Sequence, residues 1–228
     1  MNKDSKNYTI KPGEVLIGSA LLKSKKYQAK NHADYMCRNM KFNKAYLYKQ
    51  KKSKSENYKI LEKLKKDFRI YREQWSQQAK DSIKNKIVGK KLEKENINPL
   101  CIDIEVAAIC DLACPFCYRE HIVTPDKIID EKFCYNLIDQ AAEMKVPSIK
   151  FNWRGEPLLH PKLPKFINYA KKKGILETII NTNATNLNEK KSKELINAGL
   201  DLMIYSFDGG SKKTYELMRP GRFKKNKF

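Results

Sequence analysis

Three cysteines lie within eight positions of the chain, Cys110, Cys114 and Cys117, in the spacing C-x3-C-x2-C. A short loop with this spacing can wrap three thiolates around one compact metal centre, and such crowding indicates metal ligation in a reducing compartment. A four-iron cubane needs four ligands, which are normally cysteines. The loop supplies three, and the other cysteines are poorly placed: Cys37 is remote, Cys101 lies in a predicted strand and Cys134 on an apolar helix face. One iron would therefore stay open to a non-protein ligand, as catalytic metal sites keep an open position.

Two other interpretations of the same loop stay open on spacing alone. With His121 as a fourth ligand, the pattern becomes C-x3-C-x2-C-x3-H, which suits a structural zinc site. Cys114 and Cys117 also have the spacing of a thiol redox pair.

Regular patterning begins after Pro99 and must supply the scaffold for this loop. The predicted strands are 100–106, 148–153, 175–180 and 202–207. Helices are predicted at about 131–144, from Leu163 to a stop at Gly174, from Asn188 to a stop at Gly199, and from Ser211 to Met218. This alternation predicts parallel βα units, with the cysteine loop inserted after the first strand.

Each predicted strand ends in polar residues of unusual types. After the cysteine loop come Asn152-Trp-Arg-Gly-Glu156, Asn181-Thr-Asn183 and Ser206-Phe-Asp208. Parallel α/β folds carry their chemistry where strands end and βα loops begin. A purely structural protein has no reason to place such residues at the same edge four times.

These segments together resemble a known family. Cys110-x3-Cys114-Pro-Phe-Cys117 resembles the signature of the radical S-adenosylmethionine (radical SAM) superfamily, and Arg154-Gly-Glu156-Pro resembles its Gly-Gly-Glu motif. The polar segment 181–184 resembles the family's third-strand segment. Residues 206–221 resemble the fourth-strand segment of the branch whose members often carry a SPASM accessory domain.

The resemblance covers about 98–228 and implies a fold, cofactors and an activity. The fold is α/β, a partial parallel (β/α) barrel of radical SAM type, with about four βα units of an expected six. The implied cofactors are a [4Fe–4S] cluster held by Cys110, Cys114 and Cys117, and S-adenosylmethionine on the open iron. The implied enzyme cleaves S-adenosylmethionine reductively to a 5′-deoxyadenosyl radical, which takes a hydrogen atom from a substrate; the cofactor carries the chemistry and the protein orients it.

The resemblance also implies cofactor-binding residues. Glu156 takes the position that accepts hydrogen bonds from the methionine ammonium, and Gly155 lets the backbone approach the cofactor. Arg219 is expected to form an ion pair with the carboxylate of the methionine part of S-adenosylmethionine. The other expected cofactor contacts are Asn183 and Ser206 at the ribose or methionine part, Phe116 and Tyr118 near the adenine, and Asp208 in the fourth-strand segment.

The sequence departs from the family pattern in two places. Arg154 stands where the first glycine of the Gly-Gly-Glu motif is usual. Only four βα units precede the end of the sequence, and two more would take roughly 55 residues. We therefore expect a fragment of a longer enzyme, with the edge of the fourth strand exposed.

The first 97 residues differ in composition from the rest and are predicted to form a basic, largely helical extension. Residues 1–55 show no sustained period, whereas Leu61, Leu64, Phe68, Tyr71 and Trp75 mark an amphipathic helix at about 56–80. Residues 1–100 hold 26 basic and 10 acidic residues, a balance of +16, and residues 101–228 hold 21 and 16, a balance of +5. Forty of the 47 basic residues are Lys, which favours a solvated surface over a nucleic-acid site.

Composition also bounds the class of protein. A chain of 228 residues with 41% hydrophobic residues can bury a core, and no stretch is long and apolar enough for a membrane span. We expect a cytoplasmic enzyme with an electron donor such as flavodoxin or ferredoxin and an unidentified small-molecule or peptide substrate. Two alternatives remain: a zinc-containing basic RNA-binding protein, and a truncated inactive relative that keeps the cluster.

Overall fold

A computed structural model describes residues 14–17, 20–23, 29–43, 53–85, 98–122 and 125–221. The strands are β1 (Glu14–Ile17), β2 (Ala20–Lys23), β3 (Cys101–Asp103), β4 (Ser148–Lys150), β5 (Glu177–Thr182) and β6 (Leu202–Tyr205). The α-helices are α1 (Ala29–Asn39), α2 (Lys54–Asn85), α3 (Glu131–Glu143), α4 (Leu163–Lys172), α5 (Glu189–Ala198) and α6 (Lys212–Met218). Short 3-10 turns cover Met40–Phe42, Tyr118–His121 and Pro157–Leu159.

A parallel sheet of four strands, in the order β3-β4-β5-β6, confirms the predicted α/β architecture. Each strand is followed by a helix, as a partial (β/α) barrel requires. Strands β3 and β4 are shorter than predicted, because the chain turns out of the sheet soon after Asp103 and Lys150. The ladder continues for one residue beyond each, through Ile104 N–H to Lys150 O and Phe151 N–H to Ile179 O, both at 2.8 Å.

Side-chain caps set the helix boundaries where the sequence predicted them. Asn188 Oδ1 accepts a hydrogen bond from the Lys191 N–H at 2.9 Å and starts α5, and Gly199 ends it with a φ of 94°. The Ser211 side chain accepts from the Thr214 N–H, and the Thr214 hydroxyl in turn bonds the Ser211 backbone N–H, so a capping box starts α6.

The main core lies between the sheet and helices α3, α4 and α5. Its largest fully buried side chains include Ile138, Ile149, Phe151, Phe166 and Ile180. Burying an aromatic or branched aliphatic side chain of this size stabilises a fold by about 1.5–3 kcal/mol. This core therefore fixes the sheet edge from which the polar loops extend.

Helices α1 and α2 form a second apolar cluster against the other end of the sheet. Ala33, Met36, Cys37 and Met40 pack with Phe68 and Tyr71 of α2, and Leu100 and Leu176 join the cluster. The Tyr71 hydroxyl donates a hydrogen bond of 2.8 Å to Glu177 Oε2 at the start of β5, in a buried environment. The predicted helix at 56–80 extends over Lys54–Asn85, and the unpatterned segment 1–55 contains α1 and the antiparallel pair β1–β2.

Strand β6 lies at one edge of the sheet among the described strands. Ile204 and Tyr205 on it are exposed, as are Phe207 and Leu217 beyond it. None of the described helices is both long enough and apolar enough to cross a membrane.

Candidate cluster and cofactor site

The carboxyl ends of the four parallel strands surround a cavity of about 210 Å³. The cysteine loop after β3, the motif after β4, the end of β5 and the segment after β6 all contribute to its wall. Of the residues predicted from the sequence, the wall contains Cys110, Cys114, Phe116, Cys117, Gly155, Glu156, Asn183, Ser206 and Arg219.

Two predicted residues lie outside this wall. Tyr118 is 68% exposed at the start of a 3-10 turn. Asp208 accepts a hydrogen bond of 2.6 Å from Arg219 Nε, and so contacts the cavity only through that arginine. The structure thus brings together the three thiols and Glu156 but does not place Tyr118 or Asp208 at the cavity.

The cysteine loop is attached to each of the loops that face it. The Glu156 N–H donates to Ile109 O at 2.8 Å, and the Ala113 N–H donates to Pro220 O at 2.8 Å. The Asp111 carboxylate accepts from the Asn183 side-chain amide at 2.9 Å. The position of the cysteine loop is therefore determined by the three βα units that follow it.

Glu156 is buried, with 2% of its surface exposed. Its Oε1 accepts hydrogen bonds from Thr182 Oγ1 at 2.6 Å and from the Leu158 N–H at 3.0 Å, and its Oε2 accepts from the Asn183 N–H at 2.8 Å. Burial raises the pKa of this carboxyl, while the three hydrogen bonds act in the opposite direction. The carboxylate is thus held in one orientation at the cavity wall.

Gly155 allows the motif after β4 to pack against the cysteine loop. Its φ is +66°, and a Cβ at this position would lie 2.1 Å from Ala107 O. Neighbouring Arg154, which replaces the usual glycine, forms a bidentate ion pair with Glu105, with Nε–Oε1 at 2.8 Å and Nη2–Oε2 at 2.6 Å. Its guanidinium also lies 4.6 Å from the centroid of the Trp153 ring. The left-handed backbone of the motif therefore belongs to its second position, where glycine is retained.

Arg219 connects the last described segment to the cysteine loop. Asp208 holds its guanidinium, which lies 5.7 Å from the centroid of the Phe116 ring. The side chains of Arg219 and Phe116 both line the cavity. A cation and an aromatic face are thus presented beside the thiols.

Two of the thiols, Cys110 and Cys114, lie in surroundings that disfavour the anionic form. Burial, together with the smaller effects of nearby Asp111 and Glu156, raises the pKa of the Cys110 thiol to about 11, against a hydrogen bond from the Leu112 N–H that lowers it. Burial also raises the pKa of Cys114, against the opposing effect of Arg219. Binding of a metal centre must therefore displace protons from these thiols.

The donor set fits a cluster with three protein ligands. Three thiols line one cavity, whereas Cys37, Cys101 and Cys134 belong to α1, β3 and α3. His121, the fourth ligand of the zinc interpretation, is exposed and does not line the cavity. Across the described ranges no three Cys, His, Asp or Glu side chains converge on a single ion. A cubane binds each thiolate through a different iron and needs no such convergence.

The sequence placed the segments 152–156 and 181–183 at this edge but assigned no cofactor contact to several residues of the wall: Leu112, Arg119, Asn152, Trp153, Asn181 and Thr182. Of these, Asn181 carries a buried Oδ1 without a hydrogen-bond partner in the structure. An unpaired buried acceptor is costly, and a ligand donor would satisfy it. A signal was available, because Asn181 and Asn183 lie two residues apart at a strand end and so share a face.

Comparison with known proteins agrees with this geometry. A family model described as the Radical SAM superfamily matches residues 104–227, which is more than half of the chain. Over 108 residues the chain is 32% identical to the tungsten-containing aldehyde ferredoxin oxidoreductase cofactor-modifying protein of Pyrococcus furiosus, covering 46% of this chain and 30% of that protein. Over 123 residues it is 32% identical to the GTP 3',8-cyclase of Chlorobaculum tepidum, covering 54% and 37%.

Solved structures give similar matches. The complex of BtrN with AdoMet and 2-DOIA has 26% sequence identity and a TM-score of 0.45, over 50% of this chain and 48% of that one. Streptococcus suis SuiB bound to S-adenosylmethionine has 19% identity and a TM-score of 0.49, over 85% and 40%. The chain spans about a third of the length of the two curated relatives above. Because the family model covers the cysteine loop and all the strand-end motifs, the chain belongs to the radical SAM superfamily, whose cofactors are a [4Fe–4S] cluster and S-adenosylmethionine.

Proposed function

We propose that this chain is the cofactor-binding portion of a radical SAM enzyme, with Cys110, Cys114 and Cys117 as the cluster ligands. The observation that carries the proposal is the convergence of these three thiols and the Glu156 carboxylate on one cavity at the strand ends. When bound, the cluster and S-adenosylmethionine supply reductive cleavage of the sulfonium bond and a 5′-deoxyadenosyl radical that abstracts hydrogen from a substrate. The chain itself must bind, orient and shield these groups.

Glu156 would hold the methionine ammonium. A carboxylate offers about four lone-pair sites, and internal donors occupy three of them here. The remaining site belongs to Oε2. An ammonium that donates to it would form a charge-assisted hydrogen bond with a carboxylate already fixed in position.

Arg219 would bind the methionine carboxylate. Its guanidinium has five N–H donors, of which those on Nε and Nη2 face Asp208. The others remain for an anion at the cavity wall. Asp208 then acts by orienting Arg219, and the half-exposed Phe116 ring beside it offers an apolar face to the adenine.

Asn181 and Ser206 would serve the ribose or methionine part. Asn181 has an unpaired amide oxygen at the wall. Asn183 has its amide committed elsewhere, since Nδ2 donates to Asp111 and Oδ1 accepts from the Thr185 N–H at 2.9 Å. We therefore assign direct contact to Asn181 and a supporting position to Asn183.

The properties of the whole enzyme extend this proposal. A hydrogen-bearing small molecule or peptide is the substrate class, an electron donor such as flavodoxin or ferredoxin reduces the cluster, and the compartment is the cytoplasm. Residues 1–97 and 98–228 are the two parts of the chain, with α2 packed beneath the sheet of the second part.

Metal analysis after anaerobic reconstitution tests the proposal. We expect iron and sulfide in equal amounts in the wild type, and neither in a variant with Cys110, Cys114 and Cys117 all changed to Ala. A variant with Cys101→Ala and Cys134→Ala, which lie outside the cavity, is the matched control and must retain the iron. Zinc bound in place of iron would refute the assignment.

A further inference from the structure

We propose that Asp111 is a positioning residue that couples the cysteine loop to the loop after β5. The motif spacing assigns it no role, since C-x3-C leaves the residue type unspecified at the three positions between the first two cysteines. The inference rests on the proposed function, because the purpose of the coupling is to align the cluster ligands with the cofactor-binding wall.

Apart from its chain neighbour Cys110, whose thiol lies 3.9 Å from Oδ1, Asp111 makes its side-chain contacts with a single short segment, 183–186. Asn183 Nδ2 donates to Oδ1 at 2.9 Å, and Asn186 Nδ2 donates to Oδ2 at 2.9 Å. The Thr185 hydroxyl also donates to Oδ2. Both carboxylate oxygens are therefore used by residues more than 70 positions away in the chain, so the carboxylate joins two loops that have no continuity in sequence.

The chemistry of these neighbours explains an aspartate at this position. The three groups of segment 183–186 that face the carboxylate are all donors, namely two amide N–H groups and one hydroxyl. A carboxylate only accepts, so it can satisfy all three. An asparagine would turn its own amide donor toward at least one of them and lose that hydrogen bond.

The segment that Asp111 holds is strained and shared with Glu156. Ala184 has a φ of +61°, a strained conformation that a non-glycine residue keeps only where its surroundings hold it there. On one side of this residue, Asn183 donates its backbone N–H to Glu156 and its side-chain amide to Asp111. On the other side, Thr185 and Asn186 donate hydrogen bonds to the Asp111 carboxylate. Asp111 thus holds the strained turn in the conformation that keeps Asn183 against Glu156.

The tie through Asp111 differs from the other attachments of the loop. Ile109 and Ala113 are held through backbone atoms, which substitution leaves in place, and Cys110 Sγ accepts a long contact of 3.8 Å from Asn183 Nδ2. Removing the Asp111 side chain should therefore separate the loops without removing any thiol. The cluster would still have its three ligands, but the loop after β5 would no longer be held in a fixed position relative to them.

The experiment compares Asp111→Ala and Asp111→Asn with Asp139→Asn, which changes a half-buried carboxylate of α3 that bonds Tyr169 and Lys173. In cluster-free protein, hydrogen exchange of residues 181–187 should rise in both Asp111 variants and stay at the wild-type rate in the control. In reconstituted protein, iron content should be retained while S-adenosylmethionine binds about tenfold more weakly, as expected for lost hydrogen bonds to a charged group.

A second variant covers the case in which Asp111→Ala does not fold. Asn186→Ala removes one donor of the tie and should raise exchange in 110–117, the opposite loop. Wild-type exchange in both loops, or wild-type cofactor affinity in a folded Asp111 variant, would overturn the coupling. Failure of the wild type to take up iron would instead reject the proposed function, and the exchange measurement would still decide whether the loops are coupled.

Discussion

The backbone N–H of Asn183 donates a hydrogen bond of 2.8 Å to Oε2 of Glu156. This contact joins the end of β5 to the motif after β4, and the Thr182 hydroxyl reinforces it at Oε1. The carboxylate is thus oriented before any cofactor arrives. Preorganisation of this kind lowers the cost of binding a cation.

Glu156→Gln should weaken S-adenosylmethionine binding strongly and destabilise the fold. The amide would turn an N–H₂ group toward backbone or hydroxyl donors that now bond a carboxylate oxygen. We expect a loss of about 1–3 kcal/mol in the free energy of unfolding, measured by chemical denaturation. The exposed Glu189, which pairs with Lys193 on the surface of α5, gives the control Glu189→Gln. Equal stability and affinity in the two variants would contradict the role of Glu156.

Gly155→Ala and Gly174→Ala separate steric contact from backbone strain. Both glycines have positive φ, at 66° and 95°, but a Cβ at Gly155 would meet Ala107 O at 2.1 Å, whereas one at Gly174 meets nothing within 4 Å. Gly174→Ala should cost only the strain of about 1–3 kcal/mol. Gly155→Ala should cost clearly more and abolish iron uptake, because the motif can no longer pack on the cysteine loop. Similar melting temperatures would show that the close approach is absent.

Tyr71→Phe should destabilise the protein by about 1–3 kcal/mol, because it leaves the buried Glu177 carboxylate without its hydroxyl donor. Thermal unfolding of this variant can be compared with that of Tyr35→Phe, whose ring is 64% exposed on α1. If Tyr71→Phe unfolds at the wild-type temperature, the hydrogen bond does not fasten α2 to the sheet.

Asn181→Ala should separate function from stability. Its Oδ1 is buried and unpaired, so its removal should leave the cofactor-free protein at least as stable as the wild type. Cofactor affinity should fall, because the acceptor is then missing when the ligand binds. Ser192→Ala on the exposed side of α5 is a control for an ordinary polar truncation. A large loss of stability with unchanged affinity would indicate a purely structural residue.

The βα region was predictable because its signals are local. The caps at Asn188, Gly199 and Ser211 and the apolar stripe of α4 define elements within a few residues. The shared sheet edge then follows from parallel topology. Nine of the predicted site residues accordingly lie on one wall: Cys110, Cys114, Phe116, Cys117, Gly155, Glu156, Asn183, Ser206 and Arg219.

The remaining features depend on tertiary contacts that no local pattern encodes. The apolar residues of helix α1 form one short stripe, which is buried because it packs against Phe68 and Tyr71 of α2. The hydrogen bonds between Asp111 and the loop after β5 join residues more than 70 positions apart in the chain. The ion pair between Asp208 and Arg219 is likewise visible only in the folded structure. There Asp208, which was expected to contact the cofactor, instead orients Arg219.

Electron paramagnetic resonance of the reduced, reconstituted protein tests the central claim most directly, because it reports whether the cluster has an iron that S-adenosylmethionine can reach. Three cysteine ligands leave one such iron, so we expect a cluster signal whose shape changes when S-adenosylmethionine is added. The signal should be absent from the variant in which Cys110, Cys114 and Cys117 are all Ala. A cluster signal that stays the same with and without S-adenosylmethionine would contradict the account.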